Sequence, residues 1–340
     1  MAVINKDYAN IKKGTTDLQR LYAGNTLIWE FETPQPQPTD YSTQYLEFVT
    51  TSGGTFNFSG SSTANTISYS TDGGNTWSTP ATSVTINVNS GDTVMWKGEM
   101  TPTSNGVGTY SASTASFDAQ GNVMSLLYGN NFINQTDLSG KNFAFRNLFS
   151  NTKIVDASNL ILPATTLATS CYWYMFIGCT SLTTAPQLLA TTLATNCYSS
   201  MFWGCTSLTT APSLPATTLV NGCYREMFRG CTSLTTAPSL PATTLANNCY
   251  NTMFYGCTSL TTAPQLQATT LADSCYYSMF YDCRNLNYIK MLATDISASS
   301  CLTYWVRHVA SSGTFVKAAS MTTLPSGESG IPSNWTVQNE

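Results

Sequence analysis

The chain has 340 residues, 42% of them hydrophobic and only 9% charged, with a formal net charge of −4 at pH 7. With no basic surplus, a nucleic-acid backbone is excluded as the main partner, and 18 Tyr, 15 Phe and 7 Trp exclude disorder over most of the length. No apolar run approaches the roughly 18 residues of a membrane span, so none is expected.

The opening stretch, MAVINKDYANIKKGTTDLQRLYAGNTLIWE, holds no continuous apolar segment. A secretory signal peptide is therefore not expected, and the chain is expected to be assembled in the cytoplasm. Leu18, Leu21, Tyr22, Leu27, Ile28 and Trp29 surround Gly24-Asn25, a hairpin signal. So short a segment cannot bury a core of its own. Residues 1–31 are thus expected to be an attachment hairpin that docks those six side chains onto another protein. Residues 32–43 follow as a linker, because ETPQPQPTD alternates proline with polar residues.

From 44 to 128 apolar and polar residues alternate between turn signals. YLEFV, TFNFS, TISYS, SVTINVN, DTVMWKG and TYSASTASF are six candidate strands. Short strands with glycine-rich turns predict an immunoglobulin-like β-sandwich. The usual inter-sheet disulfide is ruled out, since no cysteine precedes Cys171.

Residues 129–310 are an internal repeat. Cys171, Cys197, Cys223, Cys249, Cys275 and Cys301 each follow the last by 26 residues, and Cys179, Cys205, Cys231, Cys257 and Cys283 keep the same step. The first and last copies are degenerate, as end caps of a solenoid are, and residues 311–340 read as a C-terminal cap. Within a unit, Ala246, Cys249, Tyr250, Met253 and Phe254 fall at i, i+3, i+4, i+7 and i+8. That spacing predicts one face of a short helix, followed by an extended LTTAPSLP segment. The expected fold class is thus multidomain: a β-hairpin, an Ig-like sandwich, and an α/β solenoid of 26-residue units, each a strand-like turn plus a short helix.

The string F-x-G-C-T-S-L-T, as in Phe202–Thr209, resembles the leucine-rich repeats of the BspA type. Those repeats occur in surface proteins of gut and oral anaerobes and in proteins of their phages. The resemblance covers about residues 140–310 and implies a solenoid with a recognition role rather than chemistry. The N-terminal RLYAGNTLIWE is similar to short attachment segments of phage virion proteins. Ser70 to Trp77, STDGGNTW, resembles the Asp box of sialidases, which there shapes a hairpin turn away from the catalytic centre. Here it is read as a structural turn, since Asp72 can accept turn amides and the glycines allow positive φ.

Candidate chemistry is sparse. The C-x7-C spacing fits no zinc pattern and His308 is the single histidine, so neither a metal nor a cofactor is expected. Buried free thiols are favoured over disulfides. From residue 157 to 272 the charged side chains are Arg225, Glu226 and Arg229 alone, so an enzyme is not expected. Counting the cysteine as zero, positions +2 and +6 lie about 200° and 240° round a helical wheel, opposite the buried face. There the repeats differ most, with Trp173, Ile177, Trp203, Arg225, Arg229, Tyr255, Tyr277 and Tyr281. These eight are the candidate partner or host-binding surface, the alternatives being contact with a neighbouring subunit or simple coverage of the framework. Two functions compete. One is a structural bacteriophage protein, a head or tail appendage that joins other virion proteins by its N-terminus and displays the repeats to a host protein or glycan. The other is a bacterial surface adhesin of the BspA kind. A homo-oligomer is compatible with both.

Overall fold

A computed structural model describes residues 40–340, together with the backbone of strand residues 12–13, 16–17, 20–23 and 26–30. Two compact units result, 1–40 and 41–340. In the first, β1 (Lys12–Lys13) pairs with β2 (Thr16–Asp17), and β3 (Arg20–Ala23) with β4 (Thr26–Glu30), all antiparallel. The β3–β4 register shifts between Leu21 and Tyr22. Of the expected attachment residues, Leu18 lies outside the described residues, and Leu21, Tyr22, Leu27, Ile28 and Trp29 are described in backbone only. The proline-rich stretch 32–39 also lies outside them.

The second unit begins with β5 (Leu46–Ser52), β6 (Gly54–Gly60), β7 (Ile67–Ser70), β8 (Ser83–Val88), β9 (Thr93–Gly98), β10 (Gly108–Thr109) and β11 (Ser116–Asn122). One sheet orders β10-β6-β8. The other holds β11-β5-β9-β7, with β5, β9 and β7 antiparallel. Alternation decides which side chains go in: along β11, Phe117, Ala119 and Gly121 are buried between part-exposed Ser116, Asp118 and Gln120. Between the sheets Phe48 meets Phe117 at 4.4 Å, Tyr110 at 4.8 Å and Phe56 at 5.1 Å between ring centres. These rings meet at varied angles, as a closely packed core of unlike neighbours requires.

The sheet does not stop at residue 122. β12 (Lys153–Ile154) and β13 (Leu160–Ile161) add in parallel to β11, so the first turn of the array extends the sheet. Phe149 joins the two cores, 6.0 Å from Tyr110 and 5.3 Å from Phe176. The array then stacks rung on rung, held on its extended side by isolated parallel bridges such as Thr210 with Thr236 and Thr218 with Thr244. It ends in a parallel sheet of β14 (Tyr288–Met291), β15 (Thr314–Lys317) and β16 (Thr336–Asn339).

The repeat helix is a correction. The one α-helix among the described residues is α1 (Ser125–Tyr128), outside the repeats. The Cys-Tyr-x-x-Met-Phe segment is instead a chain of four-residue turns. Asn196, Ser200 and Gly204 all have positive φ, at 53°, 53° and 75°. Amide groups alternate between two jobs. Those of Ser199, Met201 and Trp203 donate to the carbonyl three residues back. Those of Tyr198, Ser200, Phe202 and Gly204 donate across to Cys223, Arg225, Met227 and Arg229 of the next rung, at 2.7–3.1 Å. A helix would spend every amide inside itself. A helix-bearing solenoid on a free-standing sandwich is therefore not the architecture; the chain is strands and loops in several small sheets.

The core of the array is a set of columns. Tyr172, Tyr198, Tyr224, Tyr250 and Tyr276 stack at 5.5–6.1 Å, nearly parallel. Phe176, Phe202, Phe228, Phe254 and Phe280 stack alongside at 5.4–5.7 Å.

Candidate functional site

A period of four keeps +6 on the outward side, whereas at +2 Trp173, Arg225 and Tyr277 reach solvent but Ser199 and Asn251 are buried. The +6 residues of successive rungs lie one above another. Arg229 has its guanidinium carbon 4.5 Å from the Trp203 ring centre and 4.8 Å from that of Tyr255. Tyr255 stacks on Tyr281 at 4.7 Å and 8°. Arg307 follows, 5.4 Å from Tyr281. At the other end, Trp173 carries Arg146 at 4.4 Å and Tyr174 at 4.8 Å, and Tyr174 reaches Trp203 at 6.3 Å. A planar, weakly hydrated guanidinium suits such stacking better than an ammonium would.

Of the eight expected residues, the structure brings Trp173, Trp203, Arg229, Tyr255 and Tyr281 into this stack. Arg225 is exposed beside it, while Ile177 and Tyr277 are half-buried and make none of these ring contacts. The stack members are half-buried rather than protruding. Glu226 sits between the two central arginines, 3.5 Å from Arg225 and 3.8 Å from Arg229, and its other oxygen accepts from Ser200 Oγ at 3.0 Å.

Arg146, Tyr174 and Arg307 were missed, and a signal for two of them existed. With Ala144 and Cys301 as zero, Arg146 and Arg307 hold positions +2 and +6 of the degenerate end copies. Tyr174, at +3, is a positive-φ residue (61°) that is half-buried beside Trp173, although Ser200, Thr252 and Ser278 at the same position are buried, so no position rule in the sequence singles it out.

Other candidates resolve as framework. All eleven cysteines are free and buried. Burial pushes the Cys171, Cys179 and Cys231 thiols up to about 12, so they are protonated and unreactive at neutral pH. Cys205, Cys231 and Cys257 donate to the carbonyls of Phe176, Phe202 and Phe228 one rung earlier, at 3.1–3.2 Å. His308 is half-exposed, with Nδ1 3.0 Å from Asp282. The Ser70–Trp77 turn is closed by Asp72, which accepts from Thr76 N at 2.9 Å, Thr76 Oγ1 at 2.6 Å and Ser70 Oγ at 2.7 Å. Those bonds, the Thr76 hydroxyl first, hold its carboxyl down at about 2. The turn delivers Trp77 beneath Lys97, whose Nζ lies 4.0 Å from the ring centre and donates to Asn130 Oδ1 at 2.9 Å. Partial burial lowers that ammonium from its ordinary value. Lys97 also borders a cleft of about 200 Å³ with Ser68, Glu99 and Asn130.

Among the described residues, no group of His, Cys, Asp and Glu is disposed to hold a metal ion, and no helix is long and apolar enough to cross a membrane. Comparison of the chain with family models, with curated proteins and with solved structures returns no match.

Proposed function

We propose that the chain is a non-enzymatic structural protein of a bacteriophage virion, a head or tail appendage. It attaches through its N-terminal unit and presents the repeat array to a host-surface protein or glycan. The observation that carries this reading is the contrast between framework and outward positions. Tyr, Met, Phe and Cys recur from rung to rung in buried columns, while +2 and +6 change and hold most of the aromatic and cationic residues of the turn face. A face that varies on a fixed scaffold is what selection for binding produces. The array is also rigid where that face is built, since every second amide of the turn segment is bonded to the next rung. The resemblance to BspA-type repeats points to recognition as well. Catalysis finds little support here: Arg225 and Arg229, two of the three charged side chains between 157 and 272, both lie against the third, Glu226.

The test separates attachment from recognition in phage particles purified from a producing culture. Deleting residues 1–31 is expected to abolish incorporation into particles while the rest stays folded. Changing Trp173, Trp203 and Tyr255 together to Ala is expected to leave particles assembled, with binding to host cells weakened more than about tenfold. Incorporation of the truncated chain overturns the first half of the reading; undiminished binding by the triple variant overturns the second.

A further inference from the structure

The stack leaves its rings with their faces already occupied. Tyr255 has Arg229 of the preceding rung on one face, at 4.8 Å, and Tyr281 of the following rung on the other, at 4.7 Å. Trp203 is covered by the Arg229 guanidinium at 4.5 Å, and Trp173 by that of Arg146 at 4.4 Å. Rings piled along the axis turn their edges outward. An edge is the positive side of an aromatic quadrupole, and those of Trp and Tyr carry N–H and O–H groups. A neutral sugar that needs an open ring face finds in this stack both faces of Tyr255 taken and one face of Trp203 covered by a guanidinium. An anion rich in acceptors finds donors along its length.

Charge points the same way. In a chain of net charge −4, Arg146, Arg229 and Arg307 join this stack and Arg225 stands beside it. Carboxylates answer only some of them. Glu328 lies 3.4 Å from Arg307, and Asp282 is shared between Arg284 and His308. Glu226 faces both central arginines, at 3.5 and 3.8 Å, longer than the roughly 2.7–2.9 Å of a tight charge-assisted bond. One carboxylate against two guanidiniums leaves a positive charge over at the middle of the strip. The Arg225 side chain is 50% exposed there.

We propose that this strip binds an acidic linear polysaccharide, with carboxylates paired to Arg225 and Arg229 and acceptor oxygens meeting the ring-edge donors; the proposal rests on the recognition role inferred above. The strip runs lengthwise along the array, with Trp203, Arg229, Tyr255, Tyr281 and Arg307 on successive rungs, so an extended polymer can lie along it and meet rings and guanidiniums in turn. A protein partner fits less well. The large hydrophobic side chains left exposed among the described residues are Ile133, Leu189, Tyr304 and Val337, and of these only Tyr304 borders the strip, 5.3 Å from Arg307. The apolar centre that protein interfaces are built around is missing.

The experiment uses the full chain in affinity electrophoresis and calorimetry against polygalacturonate, its fully methyl-esterified form, dextran and poly-glutamate. Polygalacturonate is expected to bind, with affinity falling as salt is raised. The esterified polymer, with the same backbone and no charge, and dextran are expected to bind at least tenfold more weakly. Arg225→Gln, at an exposed position that the fold does not need, is expected to lose about tenfold on polygalacturonate. Equal binding of the free and esterified polymers overturns the charge argument, and so does an Arg225→Gln variant of unchanged affinity. Poly-glutamate binding as tightly as polygalacturonate identifies an acidic protein as the partner and overturns the glycan. Should no polymer bind while the Trp173, Trp203 and Tyr255 triple variant still loses host-cell binding, the ligand class fails and the recognition role stands. A triple variant that binds host cells undiminished removes the role itself.

Discussion

The sheets of residues 46–122 and the array that follows both bury many aromatic rings, and they do so by opposite means. Between the sheets Phe48 touches five other rings at interplanar angles from 32° to 74°. In the array Phe228 touches the same residue above and below, at 1° and 11°. The first solution depends on unlike side chains meeting from distant parts of the chain. The second depends on a short unit repeating itself at a fixed step. A globular core is specified by all its members at once, whereas a stacked core is specified by one unit and its nearest neighbours. The difference explains why the array can vary its outward residues freely while the sheets cannot lose any large piece.

Deletions break this comparison most sharply. Removing residues 205–230, one whole unit, rejoins Gly204 to Cys231 and keeps every column in register. Such a chain is expected to fold, shortened by one rung, with a melting temperature within a few degrees of the parent. Removing only 205–217 sets turn residues against the Leu-Thr-Thr-Ala-Pro segment and misaligns every later rung. Removing 46–71, the same length as a whole unit but taken from the sheets, deletes β5, β6 and β7 and leaves β11 and β9 without the strand between them. Both of these chains are expected to lose cooperative melting, followed by circular dichroism. Equal tolerance of the whole-unit and half-unit deletions removes the nearest-neighbour account of the array.

Point substitutions sharpen it at smaller scale. The hydroxyls of Tyr172, Tyr224 and Tyr250 are buried with no hydrogen-bond partner. An unpaired buried hydroxyl costs roughly 1–3 kcal/mol, so Tyr224→Phe is expected to stabilise the protein by about 1 kcal/mol. Tyr224→Ala takes a ring from the middle of the column, where it stacks on Tyr198 and Tyr250 at 5.9 Å each, and is expected to cost about 3–5 kcal/mol. Chemical denaturation of the two variants measures both signs. A destabilised Tyr224→Phe means that the hydroxyl has a partner after all.

How much of this was legible in the sequence follows the same division. The repeat, its end copies and its inward residues stand out from the 26-residue step of the cysteines, because columns of identical side chains need identical spacing. Five of the six strand windows were legible from alternation; the sixth, 109–117, was misplaced, because residues 110–115 run as turn and coil and the strand is Ser116–Asn122. The backbone of the repeat was not. Over eight residues a four-residue period departs from a helix by only about 10° per residue, so the same inward positions satisfy both. What separates them is the conformation of every fourth residue. Asn196, Ser200 and Gly204 favour or tolerate positive φ, but Glu226, Thr252 and Tyr304 stand at equivalent places and do not advertise it. Nor could the outward residues disclose that they stack on one another, because that depends on how closely the rungs approach. The continuation of the sheet through β11 into β12 and β13 was hidden for a similar reason, since parallel pairing leaves no hairpin signal.

The smallest expected effect lies in the Ser70–Trp77 turn, on the sheet side of the comparison, where one carboxylate holds a local structure that nothing else repeats. Asp72 is fully exposed, yet hydrogen bonds to its ionised form, chiefly from Thr76, bring it from 3.8 down to about 2. A carboxyl whose folded value is depressed stabilises the fold above its unfolded value and loses that contribution as pH falls through the folded one. The turn is therefore intact above about pH 4 and opens as pH drops toward 2. Trp77 reports on it, since its Nε1 donates to Gly74 O at 3.1 Å and its ring lies against Tyr45 at 4.9 Å. The fluorescence difference between the parent and Trp77→Phe is expected to titrate in that interval, while the far-ultraviolet dichroism of the array, whose columns hold no carboxylate, stays flat. Asp72→Asn is expected to show the opened signal already at neutral pH and no titration below it. If instead the Trp77 signal moves together with the array, the two regions share one cooperative transition. The turn would then be no more independent than a rung.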